Sequence, residues 1–280
     1  MIEPNLDRAA QAIAIADAIL IGAGAGMGVD SGLPDFRGPQ GFWRAYPPYQ
    51  KLGLNFFELA NPRWFDHDPE LAWGFYGHRM GLYRKTQPHE GFAILRRWTS
   101  RMRLGGFVFT SNVDGHFQRA GFDLERIVEV HGAIDGLQCM AECGVGIFSS
   151  DPFDVAIDLE TMRATPPLPA CPQCGALARP AILMFGDGGW DSSRSDAQGW
   201  RMSRWLDTLA SGPSRLVIVE LGAGTAVPSV RYQSESVARR HRGTLIRINP
   251  REPDVPPRQV SLAMGALEAL RALDALLEKG

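Results

Sequence analysis

The chain of 280 residues lacks a pronounced charge of either sign: 29 Lys and Arg oppose 31 Asp and Glu, for a formal net charge of −2. That balance leaves no electrostatic footprint for nucleic acid or for an anionic membrane surface, and neither is expected as a partner. A long hydrophobic run is also missing. The Ala-rich N-terminal stretch carries Glu3 and Asp7, has no basic cluster, and is interrupted by Gln11 and Asp17. Neither a signal peptide nor a membrane span is expected there, and a cytoplasmic location is the default. No true repeat or low-complexity tract occurs. Cysteine is scarce, four in all, with none left over from two close pairs. The 45% hydrophobic and 21% charged content is ordinary for a globular protein of one large or two small domains.

What is present is organised around residues 20–37, LIGAGAGMGVDSGLPDFR. An apolar run, Ala18 to Ile21, opens into glycines at 22, 24, 26 and 28. A buried strand entering a turn without Cβ atoms lets the backbone approach a pyrophosphate and offer it free N–H groups. On the glycines alone, a tight strand–helix turn without a ligand is an equal reading. The continuation Ser31-Gly32-Leu33-Pro34-Asp35-Phe36-Arg37 would break a helix within a turn or two.

Short β-branched runs alternate with amphipathic segments along the rest of the chain. Expected strands are Ala18–Ile21, Gly106–Phe109, Ile127–Val130, Ala181–Phe185, Leu216–Val219, Thr244–Ile248 and Val260–Ala263. Expected helices are Leu6–Ala16, Glu90–Met102, Ala197–Leu209, Pro228–Arg240 and Ala266–Leu277, the last with Leu267, Leu270, Leu273 and Leu277 as a core stripe. This predicts an α/β fold, a Rossmann-like, mostly parallel sheet with helices on both faces. Residues 41–88, aromatic-rich and helical in tendency, and 136–178, with all four cysteines, fall outside the alternation. They read as two insertions forming a small zinc-binding and helical module. The nucleotide-binding domain is then 1–40, 89–135 and 179–280. The strand-to-glycine turn recurs at Glu220-Leu221-Gly222-Ala223-Gly224-Thr225.

Cys139-x3-Cys143 and Cys171-x2-Cys174 are separated by 27 residues. Two close thiol pairs match a tetrahedral structural zinc site with no open coordination position. Two disulfides or four buried thiols are the competing readings; the first is disfavoured without an export signal. Thr110-Ser111-Asn112-Val113-Asp114-Gly115 follows a strand, where open α/β sheets place ligands, and an Asx turn would explain the same residues. His131 stands at a strand end, as a hydrogen-bonded structural residue or as a base that titrates near working pH. Tyr76 and Arg79 are spaced i,i+3 and share a helix face; a core Tyr beside a snorkelling Arg is the plain alternative.

Together these segments resemble the sirtuins, the NAD-dependent protein lysine deacylases. Gly24-Ala25-Gly26-Met27-Gly28-Val29-Asp30-Ser31-Gly32-Leu33-Pro34-Asp35-Phe36-Arg37 is similar to the family's GAG-I-S-x-x-S/A-G-I-P-D-F-R, with Gly28 for the usual Ser and the register set by the distance to PDFR. The run from Thr110 to Gly121 resembles T-Q-N-I-D-G-L-H-x-x-A-G, with Ser111 for Gln. Val128-Glu129-Val130-His131-Gly132 resembles V-E-L-H-G, and Pro180 to Asp187 resembles P-x-V-V-x-F-G-E, with Asp187 for Glu. The Gly222–Pro228 segment is a looser match to G-T-S-x-x-V-x-P, and Ile248-Asn249 fits the I-N pair. Tyr76 and Arg79 resemble the Y-x-x-R of the subgroup that removes succinyl, malonyl or glutaryl groups.

The resemblance implies NAD as cosubstrate, structural Zn2+ on the four cysteines, and acylated lysine side chains of proteins as substrate. His131 is the implied base, Asn112 and Asp114 the ribose and carboxamide residues, and Phe36 the cover of the pocket. Gly24, Ala25, Gly26, Asp35, Arg37, Ser111, Gly222, Gly224 and Asn249 complete the implied cofactor set. Phe185 and Gly186 would pair with substrate backbone by strand addition. Tyr76 and Arg79 would hold an acyl carboxylate. Products are nicotinamide, free lysine and O-acyl-ADP-ribose. Mono-ADP-ribosyl transfer, NAD hydrolysis and a non-catalytic NAD-binding regulator are the rivals, kept open by Gly28, Ser111 and Ala133. A monomer is the default.

Overall fold

A computed structural model describes residues 2–34 and 38–279. Eleven strands are named in chain order: β1 (Ala18–Ala23), β2 (Gly106–Thr110), β3 (Ile127–Glu129), β4 (Gly132–Cys139), β5 (Phe148–Ser149), β6 (Ile157–Asp158), β7 (Arg163–Ala164), β8 (Ala178–Ile182), β9 (Leu216–Leu221), β10 (Thr244–Ile248) and β11 (Val260–Leu262). The helices are α1 (Ile2–Ala14), α2 (Gly26–Val29), α3 (Gly38–Ala45), α4 (Pro47–Lys51), α5 (Phe56–Leu59), α6 (Arg63–His67), α7 (Pro69–Lys85), α8 (Glu90–Arg101), α9 (His116–Arg119), α10 (Ser193–Ala210), α11 (Ser229–Arg240) and α12 (Ala266–Leu277).

Six strands form one parallel sheet in the order β11-β10-β9-β1-β2-β3. Period-two alternation divides its apolar residues between two faces. Ile19, Ile21, Val217 and Val219 turn to a core closed by Ile13 of α1, Trp98 of α8 and Leu270 and Leu273 of α12. Leu20, Ile218 and Leu245 turn to the other, closed by Trp205 and Leu206 of α10 and Val237 of α11. Each fully buried aliphatic side chain contributes about 1.5–3 kcal/mol, so these two faces rather than any polar contact hold the sheet between its helices. The chain order leaves β1 toward β2 on one side and runs β9, β10, β11 on the other. The switch in direction falls between β1 and β9, which is where such sheets open a crevice.

A separate three-stranded sheet, β5-β4-β8, is antiparallel, and β6 pairs with β7 as a short hairpin. Its core is shared with the aromatic helices: Phe42, Tyr49, Trp73, Phe75 and Tyr76 pack with Leu137, Met162 and Ala178. Two buried polar tips fasten the helices to the cysteine-bearing insertion. The Tyr49 hydroxyl donates to the Met162 carbonyl and the Trp73 indole N–H to the Ala178 carbonyl, both at 2.9 Å.

Most expected elements lie within a few residues of their sequence-based bounds, with two instructive departures. The strand expected at Ala181–Phe185 is Ala178–Ile182, because its partner is β4 and the pairing ends at Gly132↔Ile182. Beyond it the Asp187 carboxylate accepts the Met184 N–H at 3.2 Å and turns the chain away. β4 was not among the expected strands: all its residues but Asp135 are buried, and with Gly132 and Gly136 inside it and a register shift between Gly132 and Leu137 there is no period-two alternation to read. In the leucine stripe of α12, Leu270 and Leu273 are fully buried, whereas Leu267 is half-buried and Ala266 and Ala269 take the inner positions. Among the described residues no helix is long and apolar enough to cross a membrane.

Candidate active site

Both glycine turns emerge at the C-terminal ends of β1 and β9, side by side at the switch point. The Gly24 N–H donates to the Leu221 carbonyl at 2.9 Å and the Gly26 N–H to the Gly222 carbonyl at 3.0 Å. A Cβ at Gly24 would stand 2.7 Å from the Ala223 Cα. At Gly222, where φ is +59°, it would stand 2.5 Å from the Gly26 backbone. Side chains at these positions would drive the turns apart, so the glycines serve close backbone approach. Asn249 is fully buried behind them. Its amide donates to the Ala223 carbonyl at 2.9 Å and its Oδ1 accepts from the Arg251 and Glu252 N–H groups at 3.0 Å. It holds the Gly222–Gly224 turn from beneath, with the amide fully engaged by backbone.

The segment after β2 lies against the first turn. The Ser111 N–H donates to the Ala23 carbonyl at 3.1 Å, and the Asn112 Nδ2 to the Gly24 carbonyl at 3.0 Å. Asp114 caps α9 by accepting the His116 N–H at 2.9 Å. Its other carboxylate oxygen is 3.6 Å from where a Cβ at Gly28 would be. That Cβ would also press on the Leu33 side chain at 3.0 Å, so glycine at 28 lets Leu33 pack close beside the carboxylate. Asp35, Phe36 and Arg37 lie outside the described residues.

His131 occupies the junction between β3 and β4. Its Nε2 is 3.2 Å from the Ser229 hydroxyl at the start of α11. Burial pushes the imidazole below its ordinary value, against a smaller opposing pull from the Ser111 backbone. The ring is therefore neutral, with a lone pair available, at neutral pH. Gly132 follows at φ +74°, and a Cβ there would be 2.0 Å from the Ala181 carbonyl oxygen. Only glycine lets β8 lie this close beside the imidazole. Glu129, two residues before, is buried and takes Arg194 at 2.7 Å; its N–H donates to Gln198, which ties the strand to α10. Ser229 was not legible in the sequence, since the contact spans 98 residues with no spacing to signal it.

Across the crevice, Tyr76 and Arg79 are both buried on α7. The Arg79 guanidinium lies 5.2 to 5.8 Å from the rings of Phe56, Phe75, Tyr76 and Tyr83. Its Nε and Nη2 donate to the Tyr83 hydroxyl at 3.1 and 2.7 Å. Tyr83 went unnoticed in the sequence, although its i+4 spacing from Arg79 was a usable signal. Burial raises the Tyr76 phenol, which stays protonated and able to donate. Arg119 donates to both the Tyr83 and the Asp114 carbonyls, linking this pocket to the Asn112 segment. Phe185 is 36% exposed, its ring 4.9 Å from that of Phe57, and its N–H donates to the Ala60 carbonyl at 2.8 Å. Gly186 turns at φ +70°. Asp187 makes a bidentate, buried pair with Arg179 at 2.8 and 2.9 Å. The shorter side chain acts as an internal latch for the loop.

The four sulfurs converge. All lie within 4.8 Å of one another, with Cys139–Cys174 and Cys143–Cys171 at 3.5 Å. Four thiolates about 2.3 Å from one ion would stand about 3.8 Å apart, whereas a disulfide needs about 2.05 Å. The four thiols are free, and the donor set fits zinc with no position left for substrate. N–H groups of Cys143 and Ala141 pointing at the Cys139 sulfur draw its thiol down to about 7, while the crowding of neighbouring sulfurs raises Cys143 and Cys174.

A family model described as the Sir2 family matches residues 24–201, which include both the Gly24 turn and His131. The chain belongs to the Sir2 family. An NAD-dependent protein deacylase of Aquifex aeolicus is 31% identical over 232 residues, 83% of each chain. NAD-dependent protein deacylase 1 of Archaeoglobus fulgidus is 30% identical over 237 residues, 84% of this chain and 82% of the relative. A crystal structure of a Sir2 homologue bound to NAD superposes with a TM-score of 0.69 at 26% identity, over 98% of this chain and 94% of the other. Against the sirtuin pattern, Gly28 removes a hydroxyl that would have stood beside Asp114. Ser111 keeps its backbone tie to β1 despite the shorter side chain.

Proposed function

We propose that this sirtuin removes acyl groups from protein lysines at the expense of NAD, releasing nicotinamide and O-acyl-ADP-ribose. The observation that carries this reading is a convergence. The Gly24 turn, Asn112 and His131 meet at the switch between β1 and β9, beneath a lobe clipped by four thiols. We assign residues 1–40, 89–135 and 179–280 to the nucleotide-binding domain and 41–88 with 136–178 to the smaller module. Bound NAD would supply the electrophilic anomeric carbon. The glycine turns receive its pyrophosphate, and Asn112 and Asp114 orient the ribose and carboxamide. The neutral His131 takes a proton from the ribose hydroxyl that closes on the acyl carbon. Phe185, whose N–H is taken by Ala60, would offer its carbonyl, and Gly186 its backbone, to the substrate peptide from a segment past the β4–β8 pairing.

The experiment is incubation with NAD and a panel of acyl-lysine peptides, followed by mass spectrometry. O-acyl-ADP-ribose in step with nicotinamide is expected. ADP-ribose alone would replace this reading with NAD hydrolysis, and ADP-ribose on protein with transfer.

The four rings around Arg79 and the phenol of Tyr83 favour acidic acyl chains as substrates, because a desolvated guanidinium gains most from a carboxylate partner. Arg79→Met should therefore depress desuccinylation by about 100-fold, the scale of one charge-assisted pair, while deacetylation changes by less than about three-fold. Equal loss on both substrates removes Arg79 from acyl selection.

A further inference from the structure

At the opposite, N-terminal end of the sheet lies a cleft of about 760 Å³ lined by Arg8, Arg215, Arg240, His241, Arg242 and Arg258. It opens where β9, β10 and β11 begin, about 17 Å along the strands from the glycine turns. Ile15, Leu209, Pro213 and Val260 add an apolar part to the lining. Among the described residues, no carboxylate lines the cleft. Arg215 shares the Asp17 carboxylate with Arg103 at the margin. Arg8, Arg240, Arg242 and Arg258 make no ion pair among the described residues. Arg8 is held in place by donating to the Asn5 side chain and the Arg258 carbonyl, each at 3.2 Å.

In a chain of net charge −2, five guanidiniums around one concavity repel one another unless an anion sits between them. Helix-dipole compensation at the end of α11 accounts for Arg240 alone; the others come from α1, the loop before β9, the turn after α11 and the loop before β11. Two of the arginines stand where turns call for a positive φ: Arg242 at +52° just past α11, where the Gly243 N–H returns to the Ala238 carbonyl at 2.9 Å, and Arg258 at +71° in the turn closed by the Gln259 N–H on the Pro256 carbonyl at 3.2 Å. Asparagine is tolerated at both, so these two side chains can be exchanged without disturbing the backbone.

We propose that this cleft binds a multiply phosphorylated small molecule. Guanidinium forks match phosphate oxygens in bidentate geometry. The volume lies in the range of small-molecule sites, about 300–1,000 Å³. Among the described residues no Phe, Tyr or Trp lines the cleft, so a stacking platform of the size that single-stranded nucleic acid uses is missing. The apolar lining residues leave a place for a nucleoside beside the phosphates.

The test is calorimetric titration of the full-length protein with sodium tripolyphosphate and, separately, ATP, for wild type, Arg242→Asn/Arg258→Asn and Arg96→Gln/Arg101→Gln. The first double variant removes two charges while fitting the left-handed backbone. The second removes two exposed charges on α8, outside the cleft. Tripolyphosphate affinity should fall at least ten-fold in the cleft variant, the scale of one lost charge-assisted contact, and by less than two-fold or so in the control. Without ligand, the cleft variant should melt at or above the wild-type temperature, which separates lost binding from lost folding. If it does not fold, Arg8→Gln/Arg240→Gln carries the same expectation. ATP binding more tightly than tripolyphosphate assigns the apolar lining to the nucleoside. Absence of tripolyphosphate binding, or equal weakening in cleft and control variants, overturns the proposal.

Discussion

Replacing His131 with Ala is expected to lower kcat for deacylation by about 10³-fold, within the range that a positioned general base supplies, while NAD affinity stays within a factor of about three. The imidazole is half-buried and, among the described residues, Ser229 is its side-chain hydrogen-bond partner, so the fold should survive. The pH profile gives a second readout. Burial holds the His131 value below 6.5, so the base form persists into mildly acidic solution. The acid limb of kcat/KM should have its midpoint below 6.5, not at or above it. The stability consequence has a definite sign. The unfolded chain takes up the proton near 6.5 and the folded chain only at lower pH. The contribution is thus fully present above 6.5 and is lost as pH falls through the folded value. A variant that retains wild-type turnover, or an acid limb above 6.5, would remove His131 from the proton transfer.

Metal removal should have the larger structural effect. Four thiolates in one shell can supply about 10–16 kcal/mol of apparent binding free energy, as much as the whole stability of a typical domain, about 5–15 kcal/mol. Cys174 is the informative position, being exposed: replacing it with Ser costs little packing and isolates the loss of a ligand. Cys174→Ser, or chelation of the native protein, should abolish zinc content in elemental analysis and strip hydrogen-exchange protection from β4 and β8. Strands β1 and β9 should keep theirs, because their clusters share no buried residue with the cluster that holds Leu137 and Ala178. Activity should fall with the lost protection. Full protection and full turnover after chelation would reduce the thiol cluster to a bystander.

These expectations trace back to what short stretches of chain reveal. The parallel sheet was legible because its strands are buried on both faces and so read as apolar runs, as Leu216–Val219 does before the buried Glu220. The thiol cluster was legible from spacing, since each pair is local. β4 was hidden because it is buried along nearly its whole length, while Gly132, Asp135 and Gly136 break up the apolar run that such a strand would otherwise show. Tyr83 and Ser229 escaped for a different reason: neither belongs to a local pattern that announces a ligand, and Ser229 reaches His131 only when β3 and α11 are brought together. The arginine cleft lay further still from view. Its members are scattered from residue 8 to residue 258, and a balanced total charge conceals a local excess.

The shortness of the link between the two sheets has a mechanical consequence. β3 ends at Glu129 and β4 begins at Gly132, so the chain there passes from the six-stranded sheet to the three-stranded one through Val130 and His131. The Val130 N–H donates to the Thr110 carbonyl of the first sheet at 2.9 Å, and the His131 carbonyl accepts the Leu183 N–H just past β8 at 3.0 Å. The imidazole is thereby pinned at the seam, and a displacement of either sheet would carry its ring along.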